Sequence, residues 1–471
     1  MKKKQYEIGM VGLGTMGRNL VLNMADRGHA VVGYDRDSAQ VAALRQEAET
    51  RPIHGAKTLE AFVGVLRRPR AVMMLVPAGA PVDAVMRDLL PHLEPDDLII
   101  DGGNSHFGDT DRRAQALAKR RIHFLGVGIS GGAYGARHGP SIMPGGPRDL
   151  YARVQAILES IAAKVGNDPC VTWLGPRSAG HYVKMVHNGI EYGLMRLIAE
   201  TYDLMKRGLG LTDDELCAVY TRWNRRELSS YLVEITARIF RRLDERTGRR
   251  LIDEILDEAK QKGTGMWASQ DAMALGVPLP TIDIAVAMRN LSACKSEREA
   301  AAGTFTRPVP PFTGNRDVFL TQLRDALYVG TILTFAQGMA QLGKASQAYA
   351  YNLDLEAVAR IWRGGCIIRA QLLELICAAY RAKPDLPNLL LDPALGCAVK
   401  AREESLRTVV GTAAGWGIPV PALMASLGYF DAYRSGWMPA NLIEAQRDYF
   451  GAHNYERIDA KGIFHTQWSA E

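Results

Sequence analysis

The sequence has few cysteines and no long apolar segment. Its six cysteines stand far apart, without a C-x-x-C pair or histidine at metal-ligand spacing, so we expect neither a disulfide framework nor a metal site. No window of about 18 uninterrupted apolar residues is present, so no segment is predicted to cross a membrane. The opening residues Met1 to Lys4 run into Tyr6 without the apolar core of a signal peptide. These absences together favour the reducing cytoplasm.

The excess of positive charge is also small. Lysine and arginine number 57 against 51 acidic residues, a formal net charge of +6, which favours at most the attraction of a small anion. The densest basic run, residues 241–250, is interrupted by acidic residues and lacks aromatics, so no nucleic-acid partner is predicted. Apolar residues, by contrast, make up 47% of the 471 positions, enough for two or three domains of about 150 residues each.

The pattern of apolar residues divides the chain into three parts. Short apolar runs alternate with helical patterns at 8–13, 30–34, 71–76, 98–101, 122–127 and 171–174. This alternation predicts an α/β, Rossmann-like domain with a parallel sheet over residues 1–178. Long amphipathic patterns then predict an all-helical domain over 179–436. The polar and aromatic tail, 437–471, is too short for a core of its own and is expected to lean on another subunit.

A glycine-rich motif follows the first predicted strand and opens a helix. It consists of Gly12, Leu13, Gly14, Thr15, Met16 and Gly17. The first glycine permits a tight turn, the second lets the backbone approach a pyrophosphate, and the third lets helix and strand pack closely. A G-x-G-x-x-G motif alone also occurs in plain glycine turns. Here strand, helix and second strand are all in place, so the motif predicts a dehydrogenase that binds a nicotinamide dinucleotide.

The end of the second strand leaves the cofactor preference open. Asp35, Arg36 and Asp37 follow the strand, where the adenosine ribose is expected. A carboxylate at Asp35 would bind the ribose hydroxyls of NAD and repel the extra phosphate of NADP. Arg36 would pair with that phosphate or stack on adenine. The structural alternatives are a turn cap for Asp35 and a solvated Arg36.

One predicted helix carries a polar face in apolar surroundings. Lys184, His187, Asn188 and Glu191 follow each other at i, i+3, i+4 and i+7, and the two end residues lie about 10 Å apart along the axis. The alternative is a solvated stripe, but the other faces are apolar, which is typical of a buried helix. Burial would lower the pKa of Lys184 and let a neutral amine act as a base.

Two glycine-rich polar loops precede this helix. They are residues 101–105, which include Asn104, and the run of Ser130, Gly131 and Gly132. Glycines there let backbone amides reach a ligand carboxylate, while Asn104 and Ser130 supply side-chain hydrogen bonds. The later segment 260–267 and Arg289 are compatible with plain turns or surface charge, and spacing alone assigns them no role.

Together these segments closely resemble the 6-phosphogluconate dehydrogenase family, the decarboxylating oxidoreductases of the pentose phosphate pathway, over nearly the whole chain. The most specific motifs are ISGG (129–132), KMVHNGIEY (184–192), KGTG (262–265) and AQRDYFGAH (445–453). The resemblance implies a homodimer in which each tail enters the neighbouring subunit. It also implies no metal, because an ammonium group serves as the electron sink.

The resemblance further implies roles for individual residues. The sugar acid would be held by Asn104, Ser130, Gly131, Gly132, His187, Asn188 and Tyr192. Its phosphate would be bound by Lys262 and Arg289, with Arg447 and His453 of the partner subunit. The dinucleotide would contact the glycine motif, residues 35–37, Pro77, Ala78, Gly79 and Asn104.

The implied reaction uses the two ends of the polar helix. Lys184 would remove the C3 hydroxyl proton during oxidation to a 3-keto acid and then, as an ammonium, assist the loss of carbon dioxide. Glu191 would protonate C1 of the resulting enediol to give ribulose 5-phosphate. The rival functions are a simple 3-hydroxyacid dehydrogenase that releases no carbon dioxide and a non-catalytic nucleotide-binding protein.

Three features of the sequence depart from the family pattern. Asp35 stands where NADP-dependent members usually have asparagine, and Pro77 stands where they usually have lysine. Ala133 and Tyr134 occupy positions commonly held by glutamate, beside the substrate loop. The resemblance favours NADP and the local chemistry favours NAD, so use of both cofactors is expected.

Overall fold

The computed structural model describes residues 5–468. Met1 to Lys4, on which the expectation of no signal peptide rests, and residues 469–471 of the predicted tail lie outside the described residues. Within that range the N-terminal domain contains a seven-stranded sheet in the order β3-β2-β1-β4-β5-β6-β7. Its strands are β1 (Ile8–Val11), β2 (Val31–Tyr34), β3 (Ile53–Gly55), β4 (Ala71–Met74), β5 (Leu98–Asp101), β6 (His123–Ser130) and β7 (Ser141–Pro144). Strands β1 to β6 run parallel, and β7 pairs antiparallel with β6.

Helices cover both faces of this sheet. They are α1 (Thr15–Asp26), α2 (Ser38–Ala48), α3 (Leu59–Gly64), α4 (Ala80–Leu89), α5 (Phe107–Ala118), α6 (Gly132–His138), α7 (Arg148–Ala152) and α8 (Gln155–Ile161). Successive residues of a strand enter opposite cores: Met73 packs in the cluster that contains Leu20 of α1, whereas Val72 and Met74 pack in the cluster that contains Phe62 of α3. The arrangement confirms the predicted Rossmann-like fold.

The strands of this domain differ from the prediction at one predicted segment and at the strands that were not predicted. Residues 171–174 do not form a strand, because only Val171 makes an isolated bridge, to Ile142. Strands β3 and β7 were not predicted from the sequence. β3 is a half-buried edge strand of Ile-His-Gly, and β7 ends in proline, so neither shows a clear apolar run. The remaining hairpin of this region, β8 (Lys164–Val165) with β9 (Asp168–Pro169), was also not predicted.

The second domain is helical, as predicted. Its helices are α9 (Ala179–Asp203), α10 (Asp213–Trp223), α11 (Tyr231–Ile239), α12 (Thr264–Leu275), α13 (Pro280–Ser292), α14 (Lys295–Thr304), α15 (Arg316–Ala348), α16 (Leu355–Ile361), α17 (Leu372–Ala382), α18 (Pro393–Lys400), α19 (Glu403–Trp416) and α20 (Pro421–Tyr433). The long helices α9 and α15 pack closely at Gly338. A Cβ at this position would lie 2.5 Å from the Ile190 side chain, so the approach depends on glycine. A single large apolar cluster joins them to most of the other helices.

The tail forms a small unit of its own. Helix α21 (Ala440–Gly451) is followed by a hairpin of β10 (Tyr455–Glu456) and β11 (Ile463–Phe464). Large apolar side chains of this unit remain exposed, among them Phe450 at 73% and Ile458 at 92%. Among the residues described, no helix combines the length and the apolar character that a bilayer span requires.

Candidate active site

The three glycines of the N-terminal motif have different surroundings. Gly12 has a φ of +94°, and a Cβ there would lie 2.5 Å from the Leu75 carbonyl oxygen. A Cβ at Gly17 would lie 1.9 Å from the Gly12 carbonyl oxygen, so α1 and β1 pack as closely as the motif predicts. Gly14 faces open space. The middle glycine therefore leaves its backbone accessible to a ligand at the N-terminus of α1.

A cavity of about 570 Å³ opens beside this turn. Its lining includes Gly12, Gly14, Asp35, Arg36 and Pro77. The motif, the end of β2 and the loop after β4 thus come together, as expected from the carboxyl ends of parallel strands on either side of β1.

Asp35 and Arg36 differ sharply in how they are held. The Leu13 amide donates to one carboxylate oxygen of Asp35 at 2.7 Å, and the Asp37 amide donates to the other at 2.9 Å. Asp37 in turn caps α2 by accepting from the Ala39 amide. Arg36 is exposed and makes no ion pair within residues 5–468. Asp35 therefore makes the contacts of a turn cap in this structure, whereas Arg36 is free to bind an anion.

A buried arginine joins the loop after β4 to the loop after β5. The guanidinium of Arg113 donates to the two carboxylate oxygens of Asp83 at 2.9 and 3.1 Å, and to the Gly79 carbonyl at 3.0 Å. It also donates to the Ser105 hydroxyl at 3.2 Å. Hydrogen bonding to Arg113 lowers the pKa of Asp83 to about 2. One side chain therefore supports both Gly79 and the exposed Asn104, which precedes Ser105.

His181 attaches helix α9 to the same loop. Its Nε2 lies 3.0 Å from the Asp101 carbonyl oxygen, which can only accept, so Nε2 carries the proton. Its Nδ1 then accepts from the Thr110 hydroxyl at 2.6 Å. Burial lowers the pKa of His181 and favours this neutral form, against the opposing charge of Asp101. The N-terminal end of α9 is thus tied to the loop that carries Asn104.

Strand β6 places Lys184. A Cβ at Gly128 would lie 2.4 Å from the Lys184 Cβ and 3.0 Å from the Gly180 carbonyl oxygen, so α9 crosses the strand at a distance that only glycine permits. The side chain of Lys184 is buried just beyond this crossing. The position of Lys184 relative to Ser130, at the end of β6, is therefore set by the packing of the α9 backbone against the β6 backbone.

Burial shifts the two end groups of the polar face in opposite directions. It lowers the pKa of Lys184, an effect that Glu191 partly opposes, and it raises the pKa of Glu191, which Lys184 and Arg289 partly oppose. Burial also raises the pKa of the adjacent Cys366 thiol to about 12, so this neighbour is neutral. The face therefore favours a neutral amine at one end and a protonated carboxyl group at the other.

A chain of hydrogen bonds orders the middle of the face. The amide nitrogen of Asn188 donates to the Thr264 hydroxyl at 3.0 Å, which directs its Oδ1 toward Nδ1 of His187, also at 3.0 Å. Nδ1 therefore carries the proton of His187, and Nε2 accepts from the Ser130 hydroxyl at 3.2 Å. Burial holds the pKa of His187 well below its usual value, so the ring is neutral.

The cations expected at the phosphate end divide into two groups. Arg289 stacks on Tyr192, with its guanidinium carbon 3.5 Å from the ring centre, and donates to the Lys260 carbonyl beside exposed Lys262. Arg447 and His453, in contrast, are exposed on the tail. Among the described residues no hydrogen bond or ion pair links either one to α9, α12 or α13.

Comparison with known proteins assigns the family. The model for the NAD binding domain of 6-phosphogluconate dehydrogenase matches residues 7–175, and the model for the C-terminal domain of the same enzyme matches residues 180–468. The chain belongs to the 6-phosphogluconate dehydrogenase family. The resemblance noted in the sequence is thereby confirmed.

Individual family members match over their full length. The chain is 50% identical to the NADP(+)-dependent, decarboxylating 6-phosphogluconate dehydrogenase of Bacillus subtilis, over 99% of this chain and 100% of the relative. It is 51% identical to the decarboxylating enzyme of Synechococcus elongatus, over 98% and 99% of the two chains. The Plasmodium falciparum 6-phosphogluconate dehydrogenase, solved in its apo form and with NADP+ or 6-phosphogluconate, superposes with a TM-score of 0.95 at 42% identity, over 98% of this chain and 100% of that one.

Within this family fold, Ala133 and Tyr134, which follow the loop of Ser130, Gly131 and Gly132, lie at the surface. The ring of Tyr134 is 71% exposed and lies 4.5 Å from the ring of His138, on the same side of α6. Ala133 is also exposed. Neither residue hydrogen-bonds to Ser130 or His187 through its side chain.

The sequence analysis missed several residues that support the site. They are Gly128, His181, Thr264 and Cys366, with Arg113 behind the cofactor loops. Only two had a visible signal: Gly128 completes an alternating G-V-G at the end of the strand predicted over 122–127, and Thr264 lies within KGTG. The others act through contacts between segments remote in sequence, which no local pattern reveals.

Proposed function

We propose that this protein catalyses the oxidative decarboxylation of 6-phosphogluconate to ribulose 5-phosphate and carbon dioxide, with reduction of NADP. The observation that carries the proposal is the polar face of α9, where burial favours a neutral Lys184 and a protonated Glu191. A base and an acid at opposite ends of one buried face match a reaction that removes a proton at one carbon and adds one at another.

The residues between these ends support binding of a polyhydroxy acid. Asn104, Ser130, Gly131, Gly132, His187, Asn188 and Tyr192 are proposed to hold it. Because Nε2 of neutral His187 is an acceptor and Nδ1 a donor, the ring can relay hydrogen bonds but adds no charge next to Lys184. The positive charge at the Tyr192 end, from Arg289 and Lys262, suits the phosphate.

Each proposed step uses a group in the protonation state that burial favours. Neutral Lys184 takes the C3 hydroxyl proton as C3 is oxidised, and its ammonium form then donates to the C3 oxygen as the bond from C2 to the carboxylate breaks. Glu191 delivers its proton to C1 of the enediol, and burial, which raises the pKa of Glu191, favours the protonated form that this step requires.

The glycine turn and its cavity fit a nicotinamide dinucleotide. Gly14 leaves open space at the N-terminus of α1, where a pyrophosphate is stabilised by backbone amides. When bound, the nicotinamide supplies the hydride acceptor. Arg36 is available for the 2′-phosphate of NADP, and Asp35 retains lone pairs that can accept from a ribose hydroxyl. We therefore propose that NAD is also reduced, with Leu13, Thr15, Met16, Asp37, Pro77, Ala78 and Gly79 around the nucleotide.

The proposed assembly is a homodimer with exchanged tails, in the cytoplasm. Phe450 and Ile458 expose apolar surface that a second copy would cover. His453 and Arg447, which makes an exposed ion pair with Glu444, would reach the phosphate site of that copy. The proposed domain boundaries, 1–178, 179–436 and 437–471, separate this tail from the helices before it. All six cysteines are free thiols, which favours a reducing compartment.

The test is to supply purified protein with 6-phosphogluconate and either NADP or NAD, while following nicotinamide absorbance and trapping carbon dioxide. Equal amounts of reduced cofactor and carbon dioxide are expected. Reduction without carbon dioxide would instead support a simple 3-hydroxyacid dehydrogenase, and cofactor binding without turnover would support a non-catalytic protein. Lys184→Met is the matched inactive control, because it keeps the length of the side chain and loses the amine.

A further inference from the structure

Among the described residues of the tail, 437–468, Asp448 is the one fully buried charged residue. Helix α21 is exposed along most of its length, and Asp448 is the buried residue within it, at 0% exposure. The residues on either side, Arg447 and Tyr449, are exposed. A carboxylate is rarely buried unless hydrogen bonds or ion pairs compensate for its lost solvation, so Asp448 calls for a structural explanation.

Four donors converge on this carboxylate. One oxygen accepts from the Asn454 amide at 2.9 Å and from Nδ1 of His465 at 2.8 Å. The other accepts from the Thr466 amide at 3.0 Å and from the Trp468 indole at 2.9 Å. Burial alone would raise the pKa of Asp448, but these four hydrogen bonds hold it below the usual range, so the group stays ionised.

The donors lie on both sides of the β10–β11 hairpin. Asn454 precedes β10, whereas His465, Thr466 and Trp468 follow β11. The carboxylate therefore connects α21 to the start and the end of the hairpin at one point. Because the large apolar side chains of the tail are mostly exposed, these charge-assisted hydrogen bonds are an important link between α21 and the hairpin.

The same bonds determine where His453 lies relative to Arg447. Ala452 and Asn454 have φ values of +49° and +65°, an unfavourable conformation for residues other than glycine. The bond from the Asn454 amide to Asp448 closes this reversal, and the His453 ring folds back over Gly451, where a Cβ would lie 2.6 Å from Nε2. Arg447 is the residue directly before Asp448.

We propose that Asp448 is the positioning residue that sets Arg447 and His453 in the geometry with which the tail binds the phosphate of 6-phosphogluconate on a second copy of this chain. The proposal rests on the proposed function and on tail exchange. Asp448 itself does not contact the substrate. It acts by holding the turn between the two phosphate-binding side chains.

A double-mutant cycle tests this role. Asp448→Asn keeps the size but turns an amide nitrogen toward two of the four donors. It is made in the wild-type chain and in an Arg447→Ala/His453→Ala background. In the wild-type chain we expect the KM for 6-phosphogluconate to rise about tenfold, the loss of one charge-assisted contact, while the KM for NADP changes less than about twofold. In the double-alanine background we expect Asp448→Asn to add less than about twofold.

Two further variants keep the result decisive. Trp468→Phe removes one donor and keeps an aromatic side chain, so it should give a smaller rise in the same KM even if Asp448→Asn fails to fold. Asp459→Asn is the matched control, because Asp459 is an exposed carboxylate of the same tail that pairs with Arg457, and its KM values should not change. Sedimentation velocity establishes that each variant is a dimer.

The outcomes separate the two levels of inference. If the wild-type protein does not oxidise 6-phosphogluconate, the proposed function fails. If it does, but Asp448→Asn raises the substrate KM equally in both backgrounds, Asp448 merely stabilises the tail and the positioning role is overturned. An unchanged KM in both Asp448→Asn and Trp468→Phe overturns it as well.

Discussion

Replacing Gly128 by alanine should move Lys184, the proposed base of the reaction. The added Cβ would lie 2.4 Å from the Lys184 Cβ, whereas ordinary contacts begin at 3.4 Å, so α9 and β6 must separate by about 1 Å. Gly128 has no left-handed φ, so the effect is steric alone. Overpacking of this kind costs about 1–3 kcal/mol of stability. A shift of about 1 Å in a reacting group lowers the rate by about 100-fold, so kcat should fall by about that factor.

The assay compares kcat, the KM for each substrate and the thermal midpoint with those of Gly411→Ala. Gly411 lies exposed in α19 with open space at its Cβ position, so alanine there should leave kcat unchanged and stabilise the helix by about 0.5–1 kcal/mol. A folded Gly128→Ala variant with wild-type kcat would refute the conclusion that the close crossing of β6 and α9 places Lys184.

The remaining predictions concern pH, the buried arginine and the cofactor. The proposed roles require a neutral Lys184 and a protonated Glu191, so kcat/KM should fall both as pH drops below the pKa of Lys184 and as pH rises above the pKa of Glu191; a flat pH profile would contradict these roles. Arg113→Lys keeps the positive charge but loses the planar guanidinium that donates to Asp83 and Gly79 at once, so the thermal midpoint should fall and the KM for NADP should rise several-fold. An unchanged KM for NADP would show that Arg113 contributes only to stability. Asp35→Asn should raise kcat/KM for NADP relative to NAD by about tenfold, and Arg36→Ala should lower that ratio; no change in either variant would exclude the end of β2 as the selectivity site.

The misses among the strands show where sequence patterns fail. Residues 171–174 are apolar enough for a strand, yet they meet β7 only through the isolated bridge from Val171 to Ile142 and single backbone bonds, such as that from the Leu174 amide to the Pro144 carbonyl at 2.9 Å. β7 itself returns antiparallel within a sheet whose other pairings are parallel. Which segment pairs at the edge of a sheet depends on contacts between segments that are remote in sequence. A local apolar pattern therefore does not predict it.

The sequence by itself determined the fold class, the glycine turn and the polar face of α9. These depend on local periodicity and on residue types that only certain backbone conformations accept, so neighbouring positions carry the information. It also indicated the family, which the comparisons confirmed. The position of Asp35 at the end of β2 was likewise visible, but its two bonds to backbone amides were not.

The tertiary structure alone decided which groups surround these residues. Burial of Lys184 and Glu191, and hence the direction of their pKa shifts, comes from the packing of α9 against strands and helices far away in sequence. The same holds for Arg113 and for Asp448, whose donors lie up to 20 positions along the chain. Desolvation and converging hydrogen bonds are properties of a three-dimensional neighbourhood, so they arise only once the chain has folded.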